Sequence, residues 1–329
     1  MSENLKRAES LFNRIMNQNG GGAATTSGAS APPAAAAKPP PVELPKRDPA
    51  KIAHDTLARI PPAHHVLPFC WTVWFHSRTR KKDDSGQPAV DSYLQRTEEI
   101  SFPVVKGEGA GASVVIGSVE QMWMAMACLK RGHDLVIGTE LLVFKAGIAP
   151  VWEDPVNTKG GRWVFRFNRR SQSGGDSPDG DASLSAHQLA IRRRTNLIWE
   201  RLLLRTLTGS LIPDTVDADV AEALLSDICG VVLSVRKDDD IISVWNSNLN
   251  FKKKDKLSSF QGRRMICDAI LRVIRECDLI AQGSDCVDTV DSGSNERVFG
   301  VSFEYRLHAD NPHDAPTNKY RRYHHQNHT

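Results

Sequence analysis

The chain has 329 residues, of which 40% are hydrophobic and 25% are charged, as expected for a globular protein with one large domain and tails, or with two small domains. Its net charge of +3 is too small to favour bulk nucleic-acid binding through counterion release, so any RNA contact should be local. The sequence contains no apolar run of membrane-spanning length, and its polar N-terminus lacks a signal-peptide hydrophobic region. We therefore expect a cytoplasmic protein without membrane contact.

Metal and redox chemistry are not indicated by the cysteine pattern. The six cysteines form no Cys-x-x-Cys pair and no Cys/His spacing typical of a metal site. They are expected to be reduced thiols in a reducing compartment. His64 and His65 are adjacent but lack a third ligand at a suitable spacing, so we expect no metal and no cofactor.

The N-terminal region has the composition of a disordered segment. Between Gly20 and Pro62 it consists mainly of Gly, Ala, Ser and Pro, which cannot bury enough apolar surface to offset the entropy of ordering. Asn4 to Asn17 could form a short amphipathic helix, but one too short to be stable alone. We expect the following organisation: disorder over 1–60, a folded domain over 61–310 with loop insertions near 103–116 and 171–186, and a basic, His-rich tail over 311–329.

The folded part should alternate strands and helices irregularly. Apolar periodicity predicts helices from 119, from His187 to Leu207 and from Phe260 to Glu276. Ser118 and Gln121 form a capping-box pattern in front of the first of these helices. Strands are predicted at 71–75, 141–144, 162–167, 228–236, 240–245 and 298–307. Several of these strands should form hairpins, which favours an α+β fold with an antiparallel sheet.

The loop from Gly147 to Pro155 carries the most informative chemistry. Pro150 and Pro155 bracket Trp152, Glu153 and Asp154, and each proline fixes its own φ and removes a backbone donor. A tryptophan face attracts cations and carboxylates accept hydrogen bonds, so this loop could hold a flat, cationic ligand such as an alkylated purine. The alternative is a core tryptophan beside a solvated acidic turn, which is the commoner case for such residues taken alone.

A longer stretch resembles the signature of the eukaryotic translation initiation factor 4E family, whose members bind the 7-methylguanosine cap of messenger RNA: Phe144-Lys145-x-Gly-Ile-x-Pro-x-Trp152-Glu153-Asp154-x-x-Asn157-x-x-Gly160-Gly161-Arg162-Trp163. Further matches are Trp71-x-x-Trp74-Phe75, Cys229-Gly230-Val231-Val232-x-x-Val235-Arg236 and His308-Ala309-Asp310. The resemblance extends from Pro61 to Asp310. It implies a curved antiparallel sheet of about eight strands with three helices packed on the convex face.

The resemblance also implies how the methylated base would be held. Trp152 and Tyr93 would sandwich the methylguanine, Glu153 would accept hydrogen bonds from its N1 and N2, and Trp245 would touch the methyl group. Tyr93 stands where the family usually has a tryptophan, a departure that resembles the 4E-homologous-protein branch. The alternative for Tyr93 is an ordinary surface tyrosine.

The cap phosphates would be held by Arg162 and Arg236, since guanidinium groups pair with phosphate oxygens in a bidentate manner. Asp238 and Ile241 occupy places where the family has basic residues, although Lys237 is adjacent. We therefore expect a weaker grip on the triphosphate than in a strong cap binder.

A second predicted surface concerns protein partners. Val119, Glu120 and Trp123 match the family's dorsal site, where scaffold or repressor proteins dock a helix with a Tyr-x-x-x-x-Leu-hydrophobic motif. His65 and Leu204 complete this set, which we call the Trp123 surface. A core role for Trp123 is the alternative. The chain is expected to act as a monomer with capped mRNA and such a protein as its partners.

The expected function is therefore non-enzymatic binding of the cap, coupled to translation initiation. The alternative is a translational repressor or adaptor with weak or no cap binding that acts mainly through protein partners. Hydrolysis of the cap is disfavoured, because the sequence has no carboxylate cluster suited to a metal and an activated water.

Overall fold

A computed structural model describes residues 47–78, 93–107, 109–169, 186–248, 257–283, 298 and 300–308 of the chain. The N-terminal residues 1–46, the insertion at 171–185 and the tail predicted over 311–329 lie outside the described residues. No helix among the described residues is long and apolar enough to cross a membrane.

The main sheet has eight antiparallel strands, as the resemblance implied. The described part of the chain has ten strands in all: β1 (Val66–Ser77), β2 (Thr97–Glu99), β3 (Phe102–Pro103), β4 (Ala112–Ser113), β5 (Val115–Ser118), β6 (Thr139–Lys145), β7 (Gly161–Asn168), β8 (Ile228–Val235), β9 (Asp239–Asn246) and β10 (Val301–Leu307). Their order in the main sheet is β10-β7-β9-β8-β6-β1-β2, and β5 also pairs with β1. The short strands β3 and β4 form a separate hairpin within the insertion predicted near 103–116.

Five α-helices are present in the described part of the chain. They are α1 (Pro49–Leu57), α2 (Val119–Cys128), α3 (Ala186–Thr208), α4 (Ala218–Asp227) and α5 (Ser259–Ala281). The α+β class is confirmed, but the count of three helices was too low. The two extra helices are α1 and α4, which have 9 and 10 residues.

The side chains of β7 point alternately into the core and to the opposite face of the sheet. Trp163, Phe165 and Phe167 are fully buried in the main core, together with apolar side chains of α3 and α5. Arg162 and Arg166 lie on the other face, because successive side chains of a strand point to opposite sides. The sheet thus buries one face under helices and leaves the other available for a site.

Helix α1 lies inside the segment predicted to be disordered, so that prediction was wrong for residues 49–57. The Asp48 side chain accepts hydrogen bonds from the amides of Ala50 and Lys51 and caps the helix N-terminus. A hypothetical Cβ on Gly117 would lie 2.7 Å from Thr56, and one on Gly147 would lie 2.9 Å from the Cα of Pro49. The helix therefore packs directly against two glycines, contacts that a composition-based reading cannot anticipate.

We expect Gly147→Ala to loosen α1. Gly147 has φ +91°, a conformation that costs a residue with a Cβ about 1–2 kcal/mol, and the new methyl group would also collide with Pro49. Gly138→Ala is a matched control, because Gly138 has φ +92° but no atom within 4 Å of the added Cβ. Backbone strain should lower the free energy of unfolding by a similar amount in both variants, but only Gly147→Ala should speed hydrogen exchange in α1. Equal exchange in the two variants would contradict the packing of α1 on Gly147.

Candidate functional site

A cavity of about 570 Å³ opens on the face of the sheet that the helices leave uncovered. All six side chains expected to bind the cap line this cavity: Tyr93, Trp152, Glu153, Arg162, Arg236 and Trp245. They come from a 3-10 turn at Tyr93–Arg96, the loop after β6, strand β7, the β8–β9 turn and strand β9. Residues separated by up to about 150 positions in the chain therefore share one pocket.

The loop between β6 and β7 is shaped by two buried polar side chains. The Asp154 carboxylate accepts hydrogen bonds from the amides of Ala149 (2.8 Å) and Val156 (2.9 Å). Asn157 donates from Nδ2 to the carbonyls of Ala149 (2.9 Å) and Val151 (2.8 Å). Asp154 is thus a structural residue, and the solvated acidic turn considered as an alternative does not form at this position.

This framework directs Trp152 and Glu153 to the cavity. Trp152 is half-buried, Glu153 is exposed, and both line the pocket. Trp152 is therefore not part of the main core, and the alternative of a core tryptophan is wrong. A half-buried indole beside an exposed carboxylate can offer a stacking face and a hydrogen-bond acceptor to the same planar ligand.

Tyr93 is held more firmly than a surface tyrosine would be. Its ring stacks on His76, with centroids 4.0 Å apart and planes inclined by 26°. Its hydroxyl donates to Glu140 Oε2 at 2.8 Å. Burial, followed by the charge and hydrogen bond of Glu140, raises the pKa of Tyr93. One face of the ring is occupied by His76, so a ligand can stack only on the other.

Glu140 is a site residue that sequence reasoning missed. It is only 3% exposed, and it accepts hydrogen bonds from Tyr93, from Ser234 Oγ (2.8 Å) and from Arg236 Nη2 (2.6 Å). Burial by itself would raise the pKa of Glu140, but Arg78, Arg236 and these hydrogen bonds hold it below its usual range. The ionised carboxylate therefore orients both a candidate stacking ring and a candidate phosphate ligand.

Trp245 forms the floor of the cavity. Its ring meets Phe144 edge-on with centroids 5.3 Å apart, and it lies 4.3 Å from the ring of His308. The Arg162 guanidinium lies 5.3 Å from the Trp245 centroid, within the range of a cation–π contact. The indole is 5% exposed, so it can offer only a small apolar edge to a ligand.

His308 behind Trp245 should make stability depend on pH. Its Nδ1 lies 2.8 Å from the Asn157 carbonyl oxygen, so Nδ1 carries the proton and donates. Burial lowers the pKa of His308 to about 4 from an ordinary value of 6.5. The folded state therefore disfavours the protonated ring, and the stabilising contribution is complete above pH 6.5 and lost as the pH falls towards 4.

We expect the free energy of unfolding to fall by up to about 2 kcal/mol between pH 7 and pH 5 through His308 alone. The measurement is denaturant unfolding across this range. His308→Asn keeps a donor for the Asn157 carbonyl but cannot titrate, so its curve should be flatter, whatever its absolute stability. Parallel curves for the two proteins would contradict the assignment.

The Trp123 surface lies away from the cavity. Trp123 is 56% exposed, and Val119 and Leu204 are half-buried at the edge of the core. Glu120 accepts hydrogen bonds from the His65 amide (3.0 Å) and pairs with its Nδ1 (2.8 Å), which lowers the pKa of Glu120 to about 2. Trp199, on α3, is only 3% exposed and belongs to the core. Because Trp123 is exposed, the alternative that it is a core residue is wrong.

The sequence of the chain is similar to those of known proteins. A family model described as "Eukaryotic initiation factor 4E" matches residues 66–273, which is more than half of the chain. Eukaryotic translation initiation factor NCBP of Oryza sativa is 36% identical over 135 residues, covering 41% of this chain and 44% of the relative. The NCBP of Arabidopsis thaliana is 38% identical over 184 residues, covering 56% and 59%.

A third relative, eukaryotic translation initiation factor 4E-4 of Caenorhabditis elegans, is 33% identical over 136 residues, covering 41% of this chain and 47% of the relative. The chain spans about half the length of the curated relatives it matches. The match at 66–273 runs from the first residue of β1 into α5, so it takes in the β6–β7 loop and most of the cavity lining. The chain therefore belongs to the eukaryotic initiation factor 4E family.

Proposed function

We propose that the chain is a non-enzymatic protein that binds the 7-methylguanosine cap of mRNA in the cytoplasm and connects it to translation through the Trp123 surface. The observation that carries this proposal is the convergence of three aromatic rings and an exposed carboxylate in one cavity. The methylated guanine is a flat cation with N–H donors on one edge. Stacking is stronger for such a base than for neutral guanine, and Glu153 can accept from its donors.

The charge of the cavity suits the phosphates of the cap. Six arginines and two glutamates line it, and Glu140 is already paired within the protein. A cavity with a surplus of guanidinium groups attracts a polyanion and can hold it through charge-assisted hydrogen bonds. These features support the proposal that neighbouring side chains bind both the base and the phosphates of the cap.

The test is retention on a 7-methylguanosine triphosphate resin with soluble competitors. We expect the methylated nucleotide to release the protein at much lower concentration than GTP does, because GTP lacks the positive charge on the base. Equal competition by the two nucleotides would reject cap binding.

The second candidate is an adaptor or repressor with weak cap binding. It is favoured by two features of the cavity lining: Tyr93 stands where the family usually has a tryptophan, and the neutral Ile241 stands where the family has a basic residue. RNA association that survives Trp152→Ala but is abolished by Trp123→Ala would favour this candidate over the first.

We expect Trp123→Ala to lower the affinity for a peptide with a Tyr-x-x-x-x-Leu-hydrophobic motif by at least about tenfold, because exposed aromatic anchors commonly carry 2 kcal/mol or more. The variant should change the free energy of unfolding by less than about 0.5 kcal/mol, since the side chain is largely solvated. Fluorescence anisotropy of a labelled peptide measures the first effect. Unchanged peptide affinity would remove the Trp123 surface as the docking site.

A further inference from the structure

Three arginines surround one buried carboxylate where helices α3 and α5 pack together. Glu276 of α5 is 1% exposed, and its Oε2 accepts hydrogen bonds from Arg201 Nε at 2.9 Å and from Arg205 Nη2 at 2.8 Å. Arg272, four positions earlier on α5, contacts the other carboxylate oxygen at 3.2 Å. We call these three arginines the Arg201 cluster.

The Arg201 cluster has more positive charge than its carboxylate balances. Among the residues that the structure describes, Glu276 is the only carboxylate that forms an ion pair with any of the three arginines. Three positive charges against one negative charge leave a surplus of two in this part of the molecule. The side chains of Arg201, Arg205 and Arg272 are 31%, 26% and 25% exposed, so an anion in solution can reach them.

The Arg201 cluster borders the Trp123 surface. Leu204, a member of that surface, lies three positions after Arg201 on α3, and residues three apart are neighbours on the surface of a helix. Glu200 lies on the other side of Leu204 around the helix, where it accepts a hydrogen bond from Arg131 Nη1 at 3.2 Å. A partner helix that docks on Leu204 would therefore have the Arg201 cluster along one flank.

The geometry of the cluster suits a single phosphate group. Its three guanidinium groups converge on one carboxylate, whereas a nucleic-acid backbone is bound by positive charges spaced along a groove. A phosphorylated side chain carries a charge of about −1.5 to −2 at neutral pH and three acceptor oxygens. That charge matches the surplus of the cluster, and arginine clusters are a common means of recognising phosphorylated motifs.

We propose that the partner helix of the Trp123 surface carries a phosphoserine or phosphothreonine that binds the Arg201 cluster, so that a phosphorylated partner docks more tightly than the same partner without phosphate. This inference rests on the proposed function of the Trp123 surface. Glu276 is a positioning residue here, because it orients Arg201 and Arg205 from beneath. Arg201 donates to it through Nε, and a guanidinium has four further N–H donors for a phosphate.

The experiment uses the full chain and labelled peptides with the Tyr-x-x-x-x-Leu-hydrophobic motif. Four peptides each carry phosphoserine at one of the four variable positions, and four matched peptides carry serine there. Four consecutive positions cover a full helical turn, so one of them faces the cluster. Fluorescence anisotropy at one ionic strength gives the affinities. At least one phosphorylated peptide should bind about tenfold more tightly than its serine counterpart.

Variants of the protein assign this gain to the cluster. Arg201→Gln and Arg205→Gln should each remove most of the gain and leave the affinity for the serine peptide within about twofold. Glu276 keeps two arginine partners in either variant, so the fold should be retained. Arg264→Gln on α5, an exposed arginine paired with Asp268, is the control and should keep the full gain.

Four outcomes would overturn the inference. If the serine peptides bind but no phosphorylated peptide binds more tightly, the cluster does not select phosphate, and the Trp123 surface keeps its proposed function. If the gain survives in both Arg201→Gln and Arg205→Gln, the phosphate binds elsewhere. If an uncapped RNA oligonucleotide is weakened by these variants while the phosphopeptides show no gain, the cluster binds RNA. If the unaltered protein binds none of the peptides, the proposed role of the Trp123 surface fails and this inference falls with it.

Discussion

Trp152→Ala is expected to lower the affinity for 7-methylguanosine triphosphate by roughly five- to 150-fold, because stacking of a base on an aromatic side chain is worth about 1–3 kcal/mol. Trp152 is half-buried at the wall of the cavity, so its removal should leave the fold intact. The selectivity for methylated over unmethylated nucleotide should also fall, since the cationic base gains most from the indole face. Isothermal titration with the two nucleotides measures both quantities.

Two matched variants make this result specific. Trp152→Phe keeps a stacking ring and should retain part of the affinity, whereas Trp123→Ala removes an exposed tryptophan outside the cavity and should retain all of it. If Trp152→Ala binds the methylated nucleotide as tightly as the unaltered protein does, Trp152 is not a stacking residue. The base would then have to be held by Tyr93 and Trp245 alone.

Arg169→Met is expected to lower the free energy of unfolding by about 3–5 kcal/mol, the usual cost of leaving one member of a buried ion pair without its partner. Arg169 is 2% exposed and pairs with Asp240, which is 3% exposed. The same guanidinium donates to the carbonyls of Arg236 and Lys237. Its loss should therefore also loosen the β8–β9 turn. Denaturant unfolding measures the stability, and hydrogen exchange measures the turn.

The pH dependence of this variant provides an independent check. Burial already raises the pKa of Asp240, and hydrogen bonding to Arg169 opposes that rise. Without the guanidinium the pKa should rise further, so the stability deficit should shrink as the pH falls and Asp240 takes up a proton.

Arg166→Met is the control, because Arg166 lies nearby in β7 but is 34% exposed in its pairs with Asp239 and Glu304. Such pairs are typically worth 0.2–1 kcal/mol. Similar losses of unfolding free energy in Arg166→Met and Arg169→Met would show that burial does not make the Arg169–Asp240 pair more important for stability than an exposed pair.

Short-range patterns were enough to predict much of the fold. Alternation of polar and apolar residues predicted β7, and helical spacing predicted α2, α3 and α5. The Ser118 cap of α2 forms, with Ser118 Oγ accepting from the Gln121 amide at 3.0 Å. The reciprocal half of the predicted capping box is replaced, because the Gln121 side chain donates to the Pro103 carbonyl and accepts from the Val105 amide. A tertiary contact therefore overrode a local one.

Glu140 could not be assigned to the site by the same reasoning. The first six residues of β6, from Thr139 to Phe144, are all buried, so burial along this strand gives no sign of which face looks into the cavity. Its partners Tyr93, Ser234 and Arg236 lie 47, 94 and 96 positions away in the chain. The pairing of β6 with β8 places Glu140 directly opposite Ser234, and only the tertiary fold brings the other two partners within hydrogen-bond distance.

By itself the sequence determined most of the strands and helices, the proline-bracketed loop of Trp152 and the family, because propensity, periodicity and motif spacing act over a few residues. The tertiary structure decided three further points: that Trp123 is exposed and Trp199 buried, that Tyr93 lies on His76, and that Arg306 stands opposite Arg162. Each of these depends on strand register or on helix packing between distant segments. Such contacts are set by the free energy of the whole fold, and no local pattern encodes them.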